Sequence, residues 1–477
     1  KVLTQAKIMV GGDIMLAKGE SALARFPFLD AAYLNYTTGD VVEWLCRAGD
    51  SAIPNIIFRS HNRILVGERR EAKNFSCGIP QHELFPIKRY RFPFCRSARY
   101  SSVITSFGCP LKCAFCVPGT FGLSLRPVDE VIEELRHLKS MGISEVLFQD
   151  STINASREHS RTLFSAIRES GLNIQWMCQS RADCVNDEIL GEMRASGCHT
   201  IQFGVESGSD SIREGVNKRC ATAQYEESFA LCHKHGIRPS GFFIIGLPGE
   251  THETVRETVE LAKHLRCSTA VFGLAMPHPV TALGALTGSQ QSGLSENDHY
   301  DNYQRIGSQL SELTPEQVVR WRLKAYASFY LRASYVWQRL TEIGSLYELG
   351  DTVRNALHLI RENLAARGLK RPVGEPSEQI SAQPLHRVSL LGHNRRVAVI
   401  GGGVLGMTAA HRLASNGVSV SLIEKEGCLG GLSAPAEVRP GSWIDQHHHF
   451  VAGTDSYLFG LLDELGLSKA LSWSDTT

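Results

Sequence analysis

Between residues 100 and 275 short apolar runs alternate with amphipathic stretches at fairly regular spacing, and no other feature restricts the fold as much. The alternation is that of a parallel β/α fold. It predicts strands at Ser102–Thr105, Glu145–Phe148, Ile174–Cys178, Thr200–Val205, Ser240–Ile245 and Ala270–Leu274. Helices are predicted between them, such as Val128 to Ser140, where Val131, Leu135 and Leu138 share one face, and Glu253 to Leu265. Six units suit a partial (β/α)6 barrel, because an eight-unit barrel typically takes about 250 residues.

The 477 residues are about three domains' worth of chain, so the barrel has neighbours. Residues 1–60 hold an apolar run, Ala6-Lys7-Ile8-Met9-Val10, then Gly11-Gly12, a helical stretch and Phe28 to Leu34. This is the tail of an α/β unit, too short to close a doubly wound sheet alone. A connector at 61–99 leads to the barrel at 100–285. Residues 286–365 form a helical extension with Trp321, Tyr326, Phe329, Tyr330, Tyr335 and Trp337, an aromatic stripe whose ordinary role is core packing. Residues 366–394 carry Pro372, Pro376 and Pro384 without periodicity and read as a linker. A new α/β unit runs from 395 to 477.

With 50 basic and 49 acidic residues, no global field favours nucleic acid or anionic lipid. No apolar run approaches the roughly 18 residues of a membrane span, and the start lacks the apolar core of a secretory signal. Thirteen cysteines, an odd number, do not suggest a disulfide framework. Reduced thiols in a soluble, cytoplasmic protein are expected. The absent initiator Met and the late start of a fresh domain suggest a piece of a longer chain.

After the first barrel strand comes Cys109-Pro110-Leu111-Lys112-Cys113-Ala114-Phe115-Cys116. Three thiolates so close can each take one iron of a cubane cluster and leave the fourth iron open for chemistry. Structural zinc would want a fourth ligand at finger-like spacing, and none follows. Cys178, Cys184 and Cys198 read as small buried hydrophobes.

This spacing, with Phe115 before the last cysteine and the motif at a carboxyl strand end, resembles the radical S-adenosylmethionine (SAM) superfamily. The resemblance implies a 4Fe-4S cluster on Cys109, Cys113 and Cys116, with SAM on the open iron. It also implies cofactor contacts at later strand ends: Gln149 and Asp150 on the second, Arg181 on the third, Glu206 on the fourth, and the turn with Gly246, Gly249 and Glu250 on the fifth. The second-strand match is loose, since the family's Gly-Gly-Glu is replaced. Reductive cleavage of SAM would give a 5′-deoxyadenosyl radical that abstracts hydrogen from an unactivated carbon. The electron would come from a reductant such as flavodoxin or ferredoxin.

Residues 1 to 56 resemble the last part of the cobalamin-binding module that often precedes such barrels. The Asp-x-His-x-x-Gly cobalt-ligand signature is nowhere in the chain, so cobalamin is a family expectation only. Behind the linker, Arg396 to Gly406 runs as a strand into Gly401-x-Gly403-x-x-Gly406, with Glu424 at the end of a second strand. Glycines there let the backbone approach a pyrophosphate, and the carboxylate accepts ribose hydroxyls. Gly430-Gly431 follows, as in flavoproteins resembling the amine oxidase and protoporphyrinogen oxidase group, which favours FAD over NAD. His447, His448 and His449 suit that flavin side better than a metal.

The fold expected is therefore α/β: a partial (β/α)6 barrel between an incomplete doubly wound module and the start of a Rossmann-type domain. The function expected is a radical SAM enzyme acting on a small molecule, which the aromatic helices would allow to be apolar or lipid-like, with a fused FAD oxidoreductase portion. The alternative is an FAD oxidoreductase with the barrel as accessory. No catalytic residue beyond the cofactor sites is named.

Overall fold

A computed structural model describes residues 8–13, 15–35, 37–46, 51–61, 63–80, 82–84, 87, 92, 94–286, 310–345, 347–354, 396–400, 414, 419–423, 435–439 and 442–445. The chain divides into two units, Lys1–Leu369 and Lys370–Thr477. Among the described residues no helix is long and apolar enough to cross a membrane.

The first unit opens with β1 (Met9–Gly11), α1 (Met15–Arg25), β2 (Ala31–Tyr33), α2 (Asp40–Cys46), β3 (Ile56–Ser60) and β4 (Arg63–Val66). The four strands make one sheet in chain order. β1 and β2 pair in parallel across α1, but β2–β3 and β3–β4 are antiparallel. The described sheet is thus mixed, a parallel β1–β2 pair extended by antiparallel strands, and β4 lies past residue 60. For β3 and β4 the reason lies in the connection: two residues between them allow only a hairpin, whereas a parallel return needs a dozen or more.

The central sheet is parallel. It is built from β5 (Tyr100–Val103), β8 (Glu145–Phe148), β9 (Gln175–Ser180), β10 (Cys198–Glu206), β11 (Arg238–Ile245) and β12 (Thr269–Leu274), paired in that order. Between β5 and β8 stands an antiparallel hairpin, β6 (Ser106–Cys109) with β7 (Gly122–Leu125), followed by α3 (Val128–Ser140). Helices α4 (Arg157–Glu169), α5 (Asp187–Ala195), α6 (Asp210–Gly215), α7 (Thr222–Lys234) and α8 (His252–His264) make the remaining crossovers. The longer ones each bury an apolar stripe: on α3 the fully buried positions include Val131, Leu135 and Leu138, as the spacing predicts. Phe148, Trp176, Phe203 and Phe272 fill one continuous core beneath them.

After α9 (Ala282–Leu286) come α10 (Pro315–Tyr330) and α11 (Ala333–Glu342). Helix α10 starts on a capping box, Thr314 with Gln317, and has Pro315 at its first position. Its tyrosines close the edge strand β12. The Tyr330 hydroxyl accepts from the N–H of Ala270 at 3.1 Å and donates to its C=O at 2.9 Å, and Tyr326 accepts from the N–H of Phe272. An edge strand is a row of unpaired backbone groups, and here the aromatic stripe occupies it. Trp337 differs: it is 71% exposed.

In the second unit β13 (Arg396–Ile400) and β14 (Ser419–Ile423) pair in parallel, and β15 (Pro435–Arg439) pairs with β16 (Ser442–Asp445) in an antiparallel hairpin. Gly401, Gly403, Gly406, Glu424, Gly430, Gly431 and the three histidines lie outside the described residues.

Candidate active site

Cys109 ends β6, not the first barrel strand, and the hairpin carries the cysteine loop over the carboxyl ends of the central strands. Gly108 makes this possible with φ +80°, since a Cβ there would run into the carbonyl of Gly122 on β7. The connector adds a further pairing along β7, with Phe75 N–H donating to Leu125 O at 2.9 Å and Leu125 N–H to Lys73 O at 2.9 Å.

Three backbone-anchored contacts pin the loop. Ala114 N–H donates to Val216 O at 2.9 Å, Leu283 N–H donates to Ala114 O at 2.7 Å, and the Asn217 side-chain amide donates to Lys112 O at 2.6 Å. Phe115 packs with Ile212, Val216, Leu247 and Ala275, so it serves as the loop's apolar anchor. Cys109 is buried, with its sulfur 3.9 Å from the Thr152 hydroxyl, and Cys113 and Cys116 are half-buried.

Asp150 acts on the entrance to this hairpin. Its Oδ1 accepts from the N–H and hydroxyl of both Thr105 and Ser106, which turn the chain from β5 into β6. Asp150, expected at the cofactor, thus also braces the chain leading into the cysteine motif, with burial pushing the carboxyl pKa up and the four hydrogen bonds opposing. Gln149 is exposed, and its N–H continues the ladder to Val103 O.

Arg181, just past β9, reaches the cysteines directly. Its Nη1 lies 3.3 Å from Cys113 Sγ, while Asp183 grips Nε and Nη2 at 2.9 and 2.7 Å. Glu206 ends β10 with φ +68°, at a break in register with β11, and Oε1 sits 2.9 Å from Lys218 Nζ. Both members of that pair are buried. A non-glycine residue keeps a positive φ where its surroundings over-determine it, as the buried lysine partner and the register break do here.

Lys218 is the residue that sequence reading missed. Helix α6 ends in a Schellman turn: Lys218 N–H bonds Arg213 O at 2.8 Å and Asn217 N–H bonds Glu214 O at 2.9 Å, with Asn217 at φ +57°. That turn delivers Asn217 to the cysteine loop and Lys218 to Glu206. The one local signal was an Asn just after a short helix.

On the fifth strand end, Gly246 and Gly249 have φ +98° and +76°. Glu250 folds back to accept from Gly246 N–H at 2.6 Å and Leu247 N–H at 3.2 Å. Burial raises its pKa to about 7 against those two hydrogen bonds. Cys178 and Cys198 are fully buried as expected, whereas Cys184 is half-buried.

These residues fit a cluster. Burial pushes Cys116 up to about 11 and raises Cys113, where Lys218 and Arg181 pull the other way. Iron takes thiolates, so loading would expel these protons, and two buried cations beside Cys113 favour that outcome. Among the described residues no three His, Cys, Asp or Glu converge on a single ion. A cubane asks for a different arrangement, one thiolate on each of three irons.

A family profile described as the radical SAM superfamily matches residues 103–262, and one described as an NAD(P)-binding Rossmann-like domain matches 399–465. An uncharacterized methyltransferase of Pyrococcus horikoshii is 35% identical over 260 residues, 53% of this chain and 56% of the relative. The radical SAM methyltransferase TsrM of Kitasatospora setae, solved with cobalamin and a [4Fe-4S] cluster, matches with a TM-score of 0.50 at 19% identity, over 61% of this chain and 59% of that one. The cobalamin-dependent SAM radical enzyme OxsB matches at 0.52 and 14% identity, over 76% and 59%. At such identities the two structures show a shared fold. The chain spans 35% to 59% of the length of the curated relatives it matches.

Proposed function

We propose, from the premise that the chain is a radical SAM enzyme with a C-terminal NAD(P)-binding Rossmann-like domain, that it transfers a methyl group to a carbon of a small molecule. The observation that carries this reading is the cysteine loop, held at the carboxyl end of the parallel sheet between Arg181 and the Glu206–Lys218 pair. The methyltransferase relative supports the choice of methyl transfer among radical reactions.

Cys109, Cys113 and Cys116 would hold the cluster, which when bound supplies the electron that cleaves the sulfonium carbon–sulfur bond of SAM. The chain's own residues orient and enclose. Phe115 and the 216–217 turn fix the loop, Asp150 sets its entry, and Glu206 with the Gly246–Glu250 turn would bind the nucleoside and methionine parts of SAM. The aromatic helices are occupied by the edge of the sheet, so they give no support to an apolar substrate.

Gly11 and Gly12 would form the loop against a cobalamin tail. Next to that loop, Asp13 Oδ2 lies 3.7 Å from His278 Nε2 beyond β12, which supports this reading. No cobalt-ligand histidine of the usual signature stands in the chain, so no step is assigned to cobalt. For the C-terminal domain we favour FAD, through Gly401, Gly403, Gly406 and Glu424, with Gly430 and Gly431 beyond. A reductant of the flavodoxin or ferredoxin class would feed the cluster.

Anaerobic reconstitution tests the reading. The chain should take up about four irons and, under reduction, convert SAM to 5′-deoxyadenosine and methionine, with S-adenosylhomocysteine, the product left by methyl donation, appearing only when a small-molecule methyl acceptor is added. Alanine at Cys109, Cys113 or Cys116 should abolish the conversion, while alanine at Cys178 or Cys232 should leave it. Deoxyadenosine from the triple variant would overturn the assignment.

A further inference from the structure

We propose that Arg181 sets the reduction potential of the cluster through the sulfur of Cys113. The inference rests on the radical SAM reading and gives Arg181 a duty that the resemblance, which places it against SAM, does not.

The guanidinium is almost fully buried, at 6% exposure, and its orientation is over-determined. Asp183 takes Nε and Nη2 in a fork, at 2.9 and 2.7 Å, and Lys218 O accepts a second bond from Nη2 at 3.2 Å. With Nη1 donating to Cys113 Sγ at 3.3 Å, four of the five N–H donors are engaged within the protein. A carboxylate of SAM would have to compete with the Asp183 fork for the same edge. The sulfur faces no such competition.

Reduction adds one negative charge to a cluster, and part of it resides on the thiolate sulfurs. A buried cation that donates a hydrogen bond to one of them stabilises the reduced form more than the oxidised one, so the potential becomes less negative. With the guanidinium buried and Cys113 half-buried, water screens the effect only in part. Arg181 is therefore a positioning and tuning residue, acting through Cys113.

The test is potentiometric titration of the reconstituted full chain without SAM, followed by electron paramagnetic resonance of the reduced cluster. Arg181→Gln should retain about four irons, and its midpoint should move to more negative values by a tenfold change in the reduction equilibrium, about 59 mV for one electron. Arg181→Lys keeps the charge but not the fork and should shift in the same direction by less, whereas Asp183→Asn keeps the arginine and removes the anion that offsets it, and should move the midpoint to less negative values. An iron-replete Arg181→Gln protein with the wild-type midpoint overturns the proposal. Should that variant fail to hold iron, wild-type midpoints in both Arg181→Lys and Asp183→Asn overturn it equally. Wild-type protein that takes up no cluster would instead refute the underlying radical SAM reading.

Discussion

Lys218 Nζ stands 2.9 Å from Glu206 Oε1 at the mouth of the barrel, with both side chains buried and only twelve residues apart in the chain. A buried pair of this kind is costly to break from one side, because the charge left behind has lost both its partner and its water. Glu206→Ala should cost roughly 3–5 kcal/mol in denaturant unfolding, and adding Lys218→Met should restore part of it. Additive losses in the double variant would show that the two groups do not interact. For binding of SAM, Glu206→Gln is the cleaner variant: its amide oxygen still accepts from Lys218, and calorimetry should find weaker SAM binding with unchanged cluster absorbance.

Glu250 makes stability depend on pH with a definite sign. Its folded pKa is raised to about 7 from an ordinary value of 4.5, so the folded protein binds the proton more tightly than the unfolded chain. The associated stability is fully present below 4.5 and is lost as pH rises through 7. The group is fully buried, and the loss amounts to roughly 3 kcal/mol. Glu250→Gln keeps an oxygen for the two backbone donors and cannot ionise. Melting curves from pH 4.5 to 8 should show wild type falling relative to this variant, and parallel curves would refute the assignment.

Tyr330 tests the role of the aromatic helices. Tyr330→Phe removes one hydroxyl but strands two backbone groups of Ala270 on the edge of the sheet. A loss of about 1–3 kcal/mol is expected, with hydrogen exchange accelerating at Ala270. Trp337→Ala, on an exposed site, should change stability by less than about 0.5 kcal/mol.

Asp150→Ala should expose the dependence of the cysteine loop on its entry turn. It leaves two N–H groups and two hydroxyls at Thr105 and Ser106 without their acceptor. We expect a loss of about 2–4 kcal/mol and incomplete iron uptake, with Asp150→Asn largely restoring both. Full iron content in the alanine variant would show that the loop finds its shape without the brace.

The six strands and the apolar stripe of α3 were legible in the chain because burial on a parallel sheet imposes a local period, and Val131, Leu135 and Leu138 display it. The cysteine motif was legible for a related reason: three ligands for one cluster lie within eight residues, so their spacing carries the chemistry. The residues around them carry no such record. Lys218 meets Glu206 only because α6 ends in a left-handed turn, and Arg181 meets Cys113 across 68 positions that the barrel folds together. Asp150 braces Thr105 and Ser106, which strand pairing sets beside it from 45 and 44 positions away. Period and spacing are properties of neighbours along the chain, and these determined the barrel and its three thiols. Which charges stand beside the sulfur was decided by contacts between distant segments, because electrostatic energy depends on distance in space and the sequence records only order.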